Sequence, residues 1–405
     1  MSTNAPQSAA SVPESRVGPD GVVIIGGGLA AQRCAEALCR HGFEGKIRIV
    51  CAEKHAPYDR PPLSKEVLAA EQEPRLGFRP SAWYAERSID LILGVAAVGI
   101  DPGSRRVRVS DGTSLRYDQL LIATGSRPRA FLPLAGYENV STLRTLDDSR
   151  RLREVLAQRP RLAVVGAGFI GQEVAASARR LGAEVTIVEA APTPLHAVLG
   201  PRFGDWFSWL HRSEGVQVVT GATVDRVIAN GTVRALELSN GQAVEADHVL
   251  VGVGVEPDLA WLADSGLDAV LGTTGIRVDA DGRTGIDGVF AAGDAAATFD
   301  PVAGAHVQGS HWEAAGRQAG RAARAMLGID PGPAPLTSFW TDQYGIRIQY
   351  LGHARLADAV QVDGDTESRS FTATFTRAGR AVAALLVGRP RSLPAARTVI
   401  ERGTT

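Results

Sequence analysis

The sequence predicts an α/β protein: two parallel-sheet units, each interrupted by an antiparallel insertion, followed by a small α+β domain. Three observations predict it. A glycine-rich turn closes an apolar strand twice, at Val22-Val23-Ile24-Ile25-Gly26-Gly27-Gly28-Leu29-Ala30-Ala31 and at Leu162-Ala163-Val164-Val165-Gly166-Ala167-Gly168-Phe169-Ile170-Gly171, about 140 residues apart. Each turn leads into a helical pattern, a glycine and a second β-rich run, the strand–helix–strand unit whose crossover is right-handed in nearly all cases. Past the Gly/Pro-rich stretch 328–335 the pattern changes to strand-length runs. The first two observations give two Rossmann-like dinucleotide-binding domains, and the third gives a separate C-terminal domain.

Residues 1–17 are rich in Ser, Ala and Pro without an apolar run, which reads as a disordered tail rather than a signal peptide. The first unit opens with strand 22–25 and continues in a helix from Leu29 to about His41. Gly42 stands where a left-handed cap is needed, before strand Ile47–Ala52. Val107–Val109 and Leu115–Tyr117 flank Asp111-Gly112, a hairpin signal, and Gln119–Ala123 reads as a buried strand ending at Thr124-Gly125. The second unit repeats the plan with strand 162–165, a helix to about Leu181, Gly182 and strand Glu184–Glu189. Its insertion is Thr223–Ile228 and Val233–Leu238 around Asn230-Gly231, before strand Asp247–Val253. In the C-terminal domain Ile346–Gly352, Gln361–Asp363, Ser370–Thr376 and Val382–Val387 read as strands. The boundaries expected are 18–143 with 270–328 for the first domain, 144–269 for the second and 329–405 for the third.

Composition excludes several classes. Among 405 residues 44% are hydrophobic and 21% charged, ordinary for a globular protein of two or three domains. A net charge of −1 gives no general attraction to nucleic acid or anionic membrane, and no apolar run is long enough to span a bilayer. Cysteine occurs only at 34, 39 and 51, without metal-ligand spacing. That fits a reducing cytoplasm and gives no resident metal site. Cys34 and Cys39 have the spacing of a redox-active dithiol, but both fall inside the first helix. There, residues five apart lie about 8 Å apart and about 140° around the axis, too far for a disulfide, so they read as core thiols. Lysine occurs only at 46, 54 and 65.

The two glycine turns carry the chemistry. Gly26 permits the tight turn and Gly28 lets the backbone approach a pyrophosphate, with Ala31 in place of the third glycine. The helix starting at Leu29 and Ala30 aims its N–H groups at that phosphate. Glu53, about 25 residues on, closes the second strand as a ribose ligand. Gly166, Gly168 and Gly171 complete the second turn, and Glu189 closes its second strand with no arginine beside it. A carboxylate there accepts from a free 2′-hydroxyl and repels a 2′-phosphate, which selects NADH over NADPH.

With both turns, the segments Ala123-Thr124-Gly125 and Phe290-Ala291-Ala292-Gly293-Asp294 resemble the two-dinucleotide flavoprotein superfamily. Pro57-Tyr58-Asp59-Arg60-Pro61-Pro62-Leu63-Ser64-Lys65 and Phe339-Trp340-Thr341-Asp342-Gln343-Tyr344 resemble, within it, the ferredoxin reductases that serve bacterial oxygenases. The resemblance implies FAD in the first site, NADH in the second and an iron–sulfur ferredoxin as acceptor, feeding a cytochrome P450 or a Rieske-type oxygenase. It implies that Arg60, Ala97, Thr124, Gly125, Arg144, Gly293, Asp294, His311 and Trp312 contact FAD. Phe169, Ile170 and Gly252 join the NADH site. Lys65 is then expected beside the flavin, paired with Glu173, and Trp340 close to both. Ala52 stands where relatives often carry an acidic residue, which leaves Glu53 as the sole candidate for the FAD ribose. No cysteine lies in the flavin-facing segment Tyr58–Lys65, which disfavours thiol-dependent acceptors. An oxidase or small-molecule reductase and an NADH-sensing regulatory flavoprotein stay open as alternatives. Arg317, Arg321 and Arg324 fall on one predicted helix face, either a docking stripe for an acidic ferredoxin or a solvated face.

Overall fold

The computed structural model describes residues 18–268, 270–300, 304–309, 311–332 and 336–404. The predicted tail 1–17 and the end of the linker, Pro333–Pro335, lie outside the described residues.

Two five-stranded parallel sheets form the body. In the first the order is Val289–Ala291, Gln119–Ile122, Val22–Ile25, Ile47–Cys51 and Ile89–Leu93. Strand Val22–Ile25 is buried along its whole length, as expected of a central parallel strand covered on both faces. Helix Leu29–Arg40 packs on helix Trp312–Met326, where Gly316 lies against Leu29 and Arg33, and small residues of both helices, Ala31, Ala35, Ala315, Ala319 and Ala322, share one core. Cys34 is 0% exposed within the same core. The second sheet runs Gln217–Thr220, Glu184–Glu189, Arg161–Val165, His248–Val251 and Val140–Ser141. Each sheet carries a three-stranded antiparallel insertion, at Ala97–Asp101, Arg106–Val109 and Ser114–Arg116, and at Val224–Asn230, Thr232–Leu238 and Ala243–Glu245.

The chain crosses between the units earlier than expected in both directions. Ser126–Pro128 and Val255–Pro257 pair antiparallel, one strand leaving the first unit and the other returning. Val140–Ser141 therefore belongs to the second sheet, and Leu262 and Leu267 already pack with Ile100 and Val107 in the first unit's core. This corrects the boundaries at 143 and 269. Two- and three-residue strands are defined by their partners, and such segments carry no periodicity of their own.

The C-terminal sheet is antiparallel, in the order Ser338–Gln343, Ile346–Gly352, Arg380–Val387, Ser370–Arg377 and Ala359–Asp365, with helix Leu393–Thr404 against it. It docks on the second unit through helix His196–Ser213. Leu199, Phe203, Trp206, Phe207 and Leu210 of that helix share one core with Phe371 and Phe375. Trp206 Nε1 donates to the Thr366 carbonyl at 3.0 Å. Each such apolar side chain contributes about 1.5–3 kcal/mol on burial, so five from one helix make a cohesive interface.

Candidate active site

The first glycine turn is shaped by what surrounds it. Gly26 has φ +125°, and a Cβ there would lie 2.0 Å from the Ala123 carbonyl oxygen. Above Gly28 the nearest atom is Arg60 Nε, 4.0 Å from where a Cβ would stand, so this part of the turn is open towards a cation. The helix Leu29–Arg40 that follows has no side-chain cap and no acidic residue in its first turn, leaving its positive end available to an anion.

Arg60 donates to the Arg144 carbonyl and to Glu53 Oε1, both at 2.7 Å. Tyr58 donates to Glu53 Oε2 at 2.7 Å and accepts from the Leu146 N–H at 2.9 Å. Both Glu53 oxygens thus brace Arg60 and Tyr58, contacts that its expected place as a ribose ligand does not include. Its remaining lone pairs can still accept from hydroxyls. Ala97 begins the first insertion, and close by the Gly94 N–H donates to the Glu53 carbonyl at 2.9 Å.

Asp294 sits in the short turn Gly293–Ala295 and accepts from Ser126 Oγ at 2.7 Å and from Arg144 at 3.1 Å. Burial pulls the Arg144 guanidinium below its ordinary pKa, and the Asp294 carboxylate opposes that shift. Gly125, at φ +77°, passes close under Arg144, while Thr124 Oγ1 donates to the Asp258 carbonyl at 2.9 Å. Gly293, at φ +71°, lies against Ala30. One cradle therefore gathers Gly26, Gly28, Ala30, Arg60, Thr124, Gly125, Arg144, Gly293 and Asp294.

In the second turn Gly166 has φ +104°, and a Cβ there would lie 2.4 Å from the Gly252 carbonyl oxygen. A Cβ on Gly171 would lie 2.2 Å from the Gly166 carbonyl oxygen, so helix Phe169–Arg180 can sit on the strand only with glycine there. Glu189 accepts from the Ala167 and Ala191 N–H groups at 2.6 and 2.7 Å. Phe169 and Ile170 open the helix, and the Phe169 ring lies 4.8 Å from that of Phe339. Phe339 in turn stacks on His311 at 4.6 Å.

A largely buried ion pair ties the Tyr58–Lys65 segment to the helix of the second turn. Lys65 Nζ is 2.7 Å from Glu173 Oε2, with the side chains 13% and 8% exposed. Lys65 follows the turn Pro61–Ser64, whose two prolines fix the backbone approach. Glu173 comes from the helix of the second turn. Ser64 Oγ also donates to Glu173 Oε2, and Thr341 Oγ1 donates to Oε1 at 2.7 Å. In the same region Trp312 Nε1 donates to Asp59 at 2.6 Å, and Trp312 meets Trp340 edge to face at 5.4 Å. Arg347 lies over the Trp340 ring at 5.8 Å. A cavity of about 490 Å³ opens beside the pair, lined by Lys65, Glu66, Arg180, Asp342 and Arg347 among others. A larger one, about 920 Å³, lies on the first insertion and touches none of these residues.

The sequence reading missed Ser64, Thr341 and Ser126 as site residues. Ser64 and Thr341 stand inside the two segments singled out by resemblance, but only the fold shows which oxygen they face. Nothing in the sequence marks Ser126. The arginine stripe is engaged within the chain: Arg321 is 13% exposed and pairs with Asp281 at 2.8 Å. Arg317 pairs with Glu313 at 3.2 Å, and Arg324 faces His41 at 3.2 Å. The helix face holds its neighbours together rather than presenting free cations.

A model of the pyridine nucleotide-disulphide oxidoreductases matches residues 20–319, and one described as the reductase C-terminal domain matches 338–405. The chain belongs to the pyridine nucleotide-disulphide oxidoreductase family. It is 40% identical over 389 residues to the ferredoxin–NAD(+) reductase component of an anthranilate 1,2-dioxygenase system from Burkholderia cepacia, covering 95% of each chain. It is also 40% identical to the corresponding component of a biphenyl dioxygenase system from Paraburkholderia xenovorans, covering 86% of this chain and 85% of that one. The reductase of the covalent putidaredoxin reductase–putidaredoxin complex superposes with a TM-score of 0.89 at 32% identity, covering 94% of this chain and 93% of that one. Membership of this oxidoreductase family makes FAD and NAD(H) the two dinucleotides. The two turns fit them, each closed to a Cβ where the turn is tight and open where a pyrophosphate approaches.

Proposed function

We propose that the chain is an NADH-dependent ferredoxin reductase, oxidising NADH and reducing an iron–sulfur ferredoxin one electron at a time. That ferredoxin serves a cytochrome P450 or a Rieske-type oxygenase. Bound FAD supplies the conversion of a two-electron input to single-electron output.

The observation that carries the reading is the Lys65–Glu173 pair, which joins the segment after the turn Pro61–Ser64 to the helix of the second glycine turn. In this reading Lys65 holds a positive charge beside the flavin, favouring its reduced, anionic form. Arg60, Arg144 and Asp294 orient the cofactor, with Glu53, Ala97, His311 and Trp312 bordering it, and Gly166, Gly168, Gly171, Glu189 and Gly252 hold NADH. Trp340, half-buried against Trp312, borders the way out to the acceptor. The working division is a first dinucleotide domain, a second one, and a C-terminal domain fixed to the second. A cytoplasmic setting agrees with three free cysteines, and among the described residues no helix is long and apolar enough to cross a membrane.

Stopped-flow mixing tests the reading. Protein reduced by NADH without oxygen should reoxidise rapidly with a [2Fe–2S] ferredoxin and slowly with O₂. Fast turnover with O₂ and no gain from ferredoxin would establish an oxidase instead.

A further inference from the structure

Strand Ser338–Gln343 runs along the outer edge of the C-terminal sheet, against helix Phe169–Arg180. Alternation divides its side chains. Phe339, Thr341 and Gln343 are buried, while Trp340 and Asp342 are half-exposed on the other side with Arg347. Thr341 is 1% exposed, and its hydroxyl donates to Glu173 Oε1 at 2.7 Å. The other oxygen, Oε2, takes Lys65 Nζ and Ser64 Oγ. The preceding residue is tied to the same strand's end. Gln172 Oε1 lies 3.2 Å from one His211 ring nitrogen, and the other lies 2.7 Å from the Tyr344 hydroxyl.

A lysine alone does not orient a carboxylate, because an ammonium is a point charge with rotatable donors. A second donor on the opposite oxygen fixes the plane, and in a buried site that bond is strengthened by the low local dielectric. We infer that Thr341 is a positioning residue: its hydroxyl fixes the Glu173 carboxylate, and through it the Lys65 ammonium. The strand that carries Trp340 outward thereby sets the buried charge pair inward. The inference rests on the role given to that pair under the proposed function.

The scarcity of lysine supplies the test. Lysine occurs only at 46, 54 and 65, so ¹⁵N-lysine labelling gives three ammonium signals, and Lys65→Arg identifies that of Lys65. Thr341→Val keeps the side-chain shape and removes the hydroxyl; Thr341→Ser keeps the hydroxyl. In Thr341→Val the Lys65 signal should move while those of Lys46 and Lys54 stay. The limiting rate of flavin reduction by NADH should fall about tenfold or more, with the NADH KM unchanged, as expected for one lost bond to a charged group. Thr341→Ser should restore both. An unmoved Lys65 signal, or a serine variant as slow as the valine one, would overturn the positioning role. Glu173→Gln separates this from the underlying reading. If it reduces flavin at the wild-type rate, the role of the pair itself fails; if it is slow while Thr341→Val is not, only the role of Thr341 fails.

Discussion

In the proposed function the Glu189 carboxylate sets cofactor choice. One oxygen accepts from the Ala167 N–H of the second glycine turn and the other from the Ala191 N–H just past its own strand, which fixes the group at the strand's end and leaves lone pairs for a ribose. Glu189→Ala should therefore narrow the preference for NADH over NADPH about tenfold, the worth of a charge-assisted bond. Unchanged kcat/KM ratios for the two nucleotides would remove Glu189 from that role. His211 makes a different prediction. Burial pushes its imidazole down to about 4, from an ordinary 6.5. Between those values the unfolded chain binds a proton that the folded chain refuses. Stability is therefore full above about pH 6.5 and falls as pH drops towards 4, by roughly 3 kcal/mol if the whole shift is realised. Urea midpoints at pH 7 and pH 5 should differ more for the wild type than for His211→Asn. Equal differences would show that the titration lies elsewhere.

Elements were legible in proportion to their own periodicity. The two strand–helix–strand units stand within a residue or two of their predicted bounds, because burial on both faces writes a continuous apolar run before each glycine. Helix His196–Ser213 was not legible, since Gly200-Pro201 interrupts it with a non-helical glycine at φ 72°. Strand Ser338–Gln343 was recognised only as a motif; its function depends on an alternation whose two faces meet different neighbours. The cradle was legible where backbone demands glycine, and illegible where a side chain such as Ser126 or Ser64 is recruited by tertiary approach. The helix His196–Ser213 also yields a stability prediction. Phe203 lies 5.5 Å from Phe375 and stacks near Phe371 at 6.2 Å, wholly within the interface with the C-terminal sheet. Phe203→Ala should cost about 3–5 kcal/mol, the usual range for a buried aromatic truncated to alanine. Calorimetry should show an early transition for the C-terminal domain; an unaltered thermogram would mean the domain is held by other contacts.

Across the whole molecule, two dinucleotide sites and one outlet must be connected, and the family to which the chain belongs is named for disulphide chemistry. Here the only pair of cysteines close in sequence lies within one helix, and Cys34 is fully buried in the core that this helix shares with Trp312–Met326. Burial, with the nearby Cys39, pushes the Cys34 thiol far above its ordinary pKa, and burial raises Cys39 as well. Both shifts disfavour the thiolate that exchange chemistry requires. In the proposed function electrons arriving from NADH pass outward without a thiol relay in that helix, by way of the aromatic edge formed by Trp312 and Trp340. Replacing Cys34 and Cys39 together by alanine should leave ferredoxin reduction within about twofold of wild type, at a cost of about 1 kcal/mol in stability from lost packing. Flavin content, measured alongside, distinguishes a folding defect from a chemical one. Loss of ferredoxin reduction with flavin content and NADH oxidation retained would place a thiol on the electron path and overturn the outward route through Trp340.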